Sequence, residues 1–206
     1  HQWLTGCEEE RALTADLMDQ IADLSNLAAA LRQVVNNGGS AGIDGMTVAQ
    51  LKEWFNHNWR ELQSSLLKGT YTPNGVRGVR IRKPKGGYRQ LGIPTCIDRL
   101  VQQSTSQVLN KRYEPIFSDH SYGFRPGRNA HQALIRASGY VTEGYRYVID
   151  LDLEKFFDKV NHDRLMWLLG TRIGDKRVLR LIGKFLRSGI MQDVLMSQRF
   201  QGTPQG

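Results

Sequence analysis

Cysteine is almost missing from this chain: Cys7 and Cys96 are the only two among 206 residues, far apart and outside any CxxC or Cys/His cluster. That spacing argues against a disulfide framework and offers no structural zinc pattern. No apolar run approaches the roughly 18 residues that a membrane-spanning helix needs, and the N-terminus lacks a charged-then-apolar signal pattern. The expectation is a cytoplasmic protein, without a membrane span, in a reducing compartment. Internal repeats and low-complexity stretches are missing too, so neither a solenoid nor a flexible linker is expected. The chain opens at His1 rather than Met and stops on Gln205-Gly206, and is expected to be part of a longer protein.

What is present is ordinary globular material, 40% hydrophobic and 23% charged, enough for one good-sized domain or two small ones. Acidic charge is scarce in the middle. Residues 1–70 carry 5 basic and 9 acidic side chains, residues 71–128 carry 11 and 3, and residues 129–206 carry 12 and 8, so the net charge of +8 is concentrated in the central segment. Tyr71, Tyr88, Tyr113, Tyr122 and Phe124 are interleaved with those cations. A basic stretch with aromatic rings suits phosphates with bases or sugars stacked beside them. A merely solvated basic face has the same composition, and charge by itself does not separate the two.

From Thr14 to Asn36, Leu17, Ile21, Leu24, Leu27, Leu31 and either Val34 or Val35 recur at three- and four-residue steps, the period of one helix face. Ser25 is a candidate break and Gly38-Gly39 a stop. After a loop through Gly42-Ile43-Asp44-Gly45, Thr47 is placed to cap a second helix carrying Leu51, Phe55, Trp59, Leu62 and Leu66, which ends at Lys68-Gly69. Val76 to Arg82 alternates Val79 and Ile81 with Arg80 and Arg82, so one buried and one basic face are expected, and Tyr88 to Ile93 completes a hairpin across Pro84-Lys85-Gly86-Gly87. Helices are expected over residues 94–113, 129–141, 162–169 and 175–187. The run Tyr147 to Leu153 is expected to be a buried strand because Val148, Ile149, Leu151 and Leu153 leave little polar surface, and residues 194–200 alternate as another strand would. Mixed in this order, the elements imply an α+β domain, residues 71–206, behind a helical N-terminal extension, residues 1–70.

Asp150 and Asp152 interrupt the apolar run two residues apart, on the same side of a strand. A carboxylate is costly to bury unless it is paired or holds a cation. Either these aspartates prepare a divalent-metal site, or they end the strand and cap the helix after it.

Five stretches in this order resemble the motif series of group II intron-encoded reverse transcriptases. They are Arg82-Lys83-Pro84-Lys85-Gly86-Gly87-Tyr88-Arg89-Gln90-Leu91-Gly92-Ile93-Pro94, Asp98-Arg99-Leu100-Val101-Gln102, Ser121-Tyr122-Gly123-Phe124-Arg125-Pro126-Gly127-Arg128, the aspartate strand, and Gly202-Thr203-Pro204-Gln205-Gly206. The Gly42–Gly45 loop adds a sixth point of likeness in the extension. Each stretch is weak alone and the ordered set is specific. Two departures are small: Arg82 and Gln90 stand where the family commonly has proline.

The resemblance implies an incomplete right-hand polymerase, with interleaved fingers and partial palm behind the helical extension. It implies Asp152 as a catalytic ligand of the first of two Mg2+ ions, with the Leu153 carbonyl beside it. Lys83 and Arg89 are implied over the incoming triphosphate, where a lysine point charge and an arginine fork bind phosphate oxygens. Phe157 is implied as the bulky residue that collides with a ribose 2′-hydroxyl, and Gln205 as a contact to the nucleotide's sugar and base; the plain alternative for Phe157 is a core aromatic, the role expected of Phe156. Arg80, Arg82 and Lys85 are expected to touch RNA. Arg125 and Arg128 either touch template or primer or brace the fold. His131 and His162 carry no assigned role.

The partners implied are group II intron RNA, an RNA template with a DNA primer, and dNTP. The family's remaining catalytic aspartates stand in a Tyr-x-Asp-Asp hairpin after the Pro-Gln-Gly turn. The chain by itself is therefore expected to bind RNA without extending a primer, while the full-length bacterial protein does both. Two other readings remain at this point: a retron-type, defence-associated or domesticated reverse transcriptase without a splicing role, and a non-catalytic homodimer formed through exposed palm surface.

Overall fold

The computed structural model describes residues 16–82, 84, 86–154, 156–192, 195–197 and 202–203. Cys7, Lys83, Lys85 and Gln205 lie outside them. The chain divides into two compact units, residues 1–108 with 155–206, and residues 109–154.

In the first unit the long apolar period is cut into α1 (Leu17–Ala22) and α2 (Leu24–Asn37). The break falls at Asp23, two residues before the expected Ser25. Asp23 takes an extended backbone (ψ 138°) and its carboxylate accepts the Ser25 and Asn26 amides, so one residue ends α1 and caps α2. α3 (Val48–Leu67) begins as its sequence predicts: Gln50 Oε1 accepts the Thr47 amide at 2.9 Å. Leu17, Ile21, Leu27, Leu51 and Leu66 are fully buried where these helices meet. The Gly42–Gly45 loop crosses the start of the next helix at backbone distance, because a Cβ on Gly42 would lie 2.6 Å from Thr95 Cα.

A four-stranded sheet in the order β2-β1-β3-β4 combines β1 (Val76–Arg82), β2 (Tyr88–Ile93), β3 (Ile190–Gln192) and β4 (Leu195–Ser197). β1 and β2 form the expected antiparallel hairpin, with Arg80 opposite Gln90, Ile81 opposite Arg89 and Arg82 opposite Tyr88. The parallel pairing of Val76 with Ile190 joins it to β3, which the sequence did not reveal, and β4 falls within the alternating stretch 194–200. One expectation fails here. Only the inner end of the hairpin has a buried face, at Val76 and Gly92, while Ile81 is exposed on the same strand as Arg80 and Arg82. Beyond Val79 the two strands have each other for hydrogen bonds, and neither face is covered.

α4 (Cys96–Tyr113) starts two residues later than expected, after Pro94 and Thr95, with the Thr95 hydroxyl accepting the Asp98 amide at 3.1 Å. α6 (His162–Arg172) and α7 (Lys176–Arg187) are capped by Asn161 and Asp175, whose side chains accept the Arg164 and Arg177 amides. Asp175 also accepts the buried Met18 amide at 2.9 Å, tying α1 to the start of α7.

The second unit holds the end of α4, a 3-10 turn at Glu114–Ile116, and α5 (Ala130–Thr142), where Asn129 and Gln132 exchange the two hydrogen bonds of a capping box at 2.9 and 3.0 Å. Residues 145–153 form neither helix nor strand. The expected buried strand is overturned: Tyr147 is 97% exposed and Leu151 88%. A strand exists only through hydrogen bonds to a neighbour, and an apolar run needs cover on both faces. Among the described residues none pairs with this segment.

Among the described residues no helix is long and apolar enough to cross a membrane.

Candidate nucleic-acid interface

The hairpin sorts its cations by register. Directly opposed residues point to one side of an antiparallel pair, so Arg80, Arg82, Tyr88 and Gln90 share one face, and Ile81, Arg89, Val79 and Leu91 share the other. Arg80 and Arg82, read as RNA contacts, therefore stand opposite to Arg89, read as a triphosphate contact. Both faces are open at this end.

Phe157 begins the 3-10 turn Phe157–Lys159 and packs edge-on against Phe156, ring centroids 5.5 Å apart. Both rings are 52% exposed, so Phe156 is not the core aromatic it was expected to be. Local helical geometry projects both rings outward, and no described side chain seals them. The structure does bring Phe157 to the start of the last motif: its carbonyl accepts the Thr203 amide at 2.8 Å.

Asp150, Asp152 and Leu153 lie in the second unit, exposed. The Asp152 carboxylate accepts the Leu153 amide at 2.9 Å. Its hard oxygen donors suit a divalent cation, but such an ion takes about six oxygens. Among the described residues no group of three or more His, Cys, Asp or Glu side chains is gathered to hold one. Asp152 and the Leu153 carbonyl thus fit a part of a metal site and do not make up a whole one.

Arg125 has its donors occupied by protein. Its side chain is only 8% exposed, Nε donates to Glu114 at 2.9 Å, one terminal nitrogen donates to the Ser118 and Ser121 carbonyls, and the guanidinium lies over Phe117 at 5.4 Å. Of the two roles open to it, bracing residues 114–128 is the one these contacts fill. Arg128 is half-exposed, paired with Asp119 at 3.3 Å and set over Tyr122. His131 is exposed on α5.

Several polar residues that carried no assigned role, or that stood only inside a motif, prove central to the first unit. Asp98 is 1% exposed and accepts hydrogen bonds from Tyr71 (2.7 Å), Thr95 (2.7 Å) and the Asn74 amide (3.1 Å). Burial pushes its carboxyl above the ordinary value, outweighing those three donors, and burial followed by the neighbouring Asp98 pushes the Tyr71 hydroxyl up in turn. Next to it, Arg99 reaches the Gly38 and Ser40 carbonyls at 3.0 and 2.9 Å, holding the loop after α2 to α4. On α7, Arg177 pairs with Asp175 and Asp19, and Lys184 donates to the Gly69 and Tyr71 carbonyls. Lys176, Arg180 and Arg187 instead face solvent from the same helix. A helix here was legible in the sequence, but which of its cations are spent on the fold depends on what packs beside them.

Residues 81–206 match the model of the family described as reverse transcriptase (RNA-dependent DNA polymerase). The chain belongs to that family. The group II intron-encoded protein LtrA of Lactococcus lactis subsp. cremoris is 37% identical over 148 residues, 71% of this chain and 24% of LtrA. Protein YkfC of Escherichia coli (strain K12) is 34% identical over 186 residues, 87% of this chain and 49% of YkfC. The chain thus spans between about a quarter and a half of these curated relatives. Among solved structures, a partial Cas6-RT-Cas1-Cas2 complex superposes with a TM-score of 0.60 over 92% of this chain and 31% of that one. At 23% identity that likeness speaks to the fold alone. The group II intron kinship read from the motifs and the α+β reverse-transcriptase fold are both borne out.

Proposed function

We propose that this chain supplies the fingers and part of the palm of a group II intron-encoded reverse transcriptase and maturase, a bacterial cytoplasmic protein that copies RNA into DNA and assists splicing of its intron. The observation that carries the reading is the 37% identity to the group II intron-encoded protein LtrA over 148 residues, beside the reverse transcriptase family match over residues 81–206. In this reading Arg89, with Lys83, binds the triphosphate of the incoming dNTP. Phe157, half-exposed beside the last motif, excludes a ribose 2′-hydroxyl, and Gln205 packs on the nucleotide. Arg80, Arg82 and Lys85 track RNA phosphates, with Tyr88 on the face of Arg80 and Arg82 as a stacking ring. Asp152 and the Leu153 carbonyl are one part of the magnesium site of the whole protein. Magnesium there supplies charge neutralisation at the transferring phosphate and activation of the primer hydroxyl.

The test is binding of group II intron RNA and of an unrelated structured RNA of equal length, each across a salt series. Tighter intron binding that persists at high salt supports the maturase role. Equal affinities that collapse together would leave a reverse transcriptase without that role, the retron-type or defence-associated reading. Replacing Arg80 and Arg82 by Ala is expected to weaken both RNAs alike and to lower the salt slope by about one per lost phosphate contact.

A further inference from the structure

Two segments 40 residues apart are joined by three short hydrogen bonds. The Gly202 amide donates to the Val160 carbonyl at 2.8 Å, and the Thr203 amide donates to the Phe157 carbonyl at 2.8 Å. His162 Nε2 closes the set, 2.6 Å from the Gly202 carbonyl. A carbonyl only accepts, so the ring carries a proton on Nε2. His162 is 7% exposed and is the first residue of α6, behind its cap Asn161. Gly202 takes φ 79°, and a Cβ there would stand 2.7 Å from the Asp158 carbonyl oxygen, so the two backbones meet with no side chain between them.

One end of this staple is Phe157, and the other is Gly202-Thr203, the start of the last motif. We infer that His162 is a positioning residue: by holding the Gly202 carbonyl it fixes Gly202-Thr203, whose Thr203 amide bonds the Phe157 carbonyl, and so sets where the Phe157 ring stands against the nucleotide sugar. This rests on the polymerase reading above. The physical reason lies in what the ring replaces. A buried carbonyl without a partner is costly, and the two amide bonds alone leave Gly202 free to pivot about a glycine backbone. The imidazole, locked by the helix start, removes that freedom. Phe157 needs the support because its ring is half-exposed, with Phe156 as its aromatic neighbour.

The experiment is single-nucleotide incorporation on an RNA template by the full-length protein, with dNTP and with rNTP. H162F, which keeps an aromatic ring without the donor, is expected to raise the dNTP KM on the order of tenfold while moving kcat less, and to narrow the preference for dNTP over rNTP by a similar factor. H162Q, which retains an N–H of similar reach, is expected to recover most of both. A merely structural histidine would lower the amount of active protein and leave KM and the preference where they were. That result in folded H162F overturns the inference. Should H162F fail to fold, H162N, whose amide is too short to reach Gly202, is read in the same way. Amide exchange in the wild type needs no variant: Gly202 and Thr203 are expected to be protected, and exchange at the rate of open chain at both overturns the staple itself. Wild-type protein that incorporates no nucleotide while these amides stay protected would sink the polymerase reading, and the selectivity claim with it, but not the staple.

Discussion

Residues 16–108 with 156–203 and residues 109–154 are built from the same kinds of amino acid and end in opposite states. Every buried hydrophobic residue described belongs to the first set, from Leu17 to Leu186, and none to the second. In the first, α1, α2, α3 and α7 close over one another and even the polar groups are enclosed, at Asp98, Asp175 and His162. In the second, α5 has a good cap and no buried face, and the apolar run 147–153 stands in solvent. Local signals are enough to start a helix; burial needs a second surface at the right place. Arg125 shows what remains when that surface is lacking: one guanidinium organises residues 114–128 through a carboxylate, carbonyls and an aromatic ring rather than through a core.

The sharpest way to break this comparison is to cut the same amount of side chain from both regions. Leu66→Ala is expected to cost about 2–5 kcal/mol in denaturant unfolding, while Ile149→Ala is expected to stay within about 0.5 kcal/mol. Equal losses in the full-length protein would show that residues 147–153 are covered there, and the contrast would belong to this chain alone.

A second contrast lies inside the enclosed region, between two buried aspartates of opposite sign. At Asp175 burial opposes ionisation, but hydrogen bonds from Arg177 and the Met18 amide outweigh it and hold the carboxyl below its ordinary value. Its stabilisation is therefore complete above about pH 4, the unfolded value, and is lost as pH falls through the depressed folded value. Asp98 is raised, so its contribution is complete below about pH 4 and is lost as pH rises through the folded value. Melting temperatures across a pH series test both. D175N is expected to lose most against the wild type near neutrality and to draw level as pH falls, whereas D98N is expected to gain on the wild type as pH rises from about 4. Parallel curves for the two variants would contradict the assignment.

The smallest effect is expected at Arg125. Arg125→Ala is expected to speed amide exchange at Ser121 and Arg128, whose amides donate to the Ser118 and Arg125 carbonyls, by a local loss of about 1–2 kcal/mol. Global unfolding is expected to change little. A drop in the global midpoint as large as that of Leu66→Ala would mean that this region shares the core after all.

Much of the secondary structure was legible because its causes are local. Thr47 with Gln50, Asn129 with Gln132 and the Pro84–Gly87 turn are each complete within a few residues. The one-residue break at Asp23 was missed by two positions because Asp and Ser are both good caps, and Ser25 donates to the same Asp23 carboxylate. β3 escaped notice for another reason: three residues carry no period, and the strand exists because Val76 lies alongside it. In the candidate site, the cations of the hairpin and the aromatic pair at Phe156 and Phe157 were visible as residue types, and the motif order named the family. The staple from His162 to Gly202 was not visible, since a histidine at a helix start looks the same whether a carbonyl 40 residues away reaches it or not.

The amino-acid order by itself determined where helices start and stop, that β1 and β2 pair, where positive charge collects, and to which family the chain belongs, because those depend on neighbours in sequence or on the order of motifs. Only the tertiary structure decided which apolar faces are covered, which arginines are spent on the fold, and that Asp98, Asp175 and His162 are enclosed. Burial, pKa and hydrogen-bond partners are properties of what the fold brings alongside a residue, and the distant ones among those partners come from parts of the chain 24 to 157 residues away.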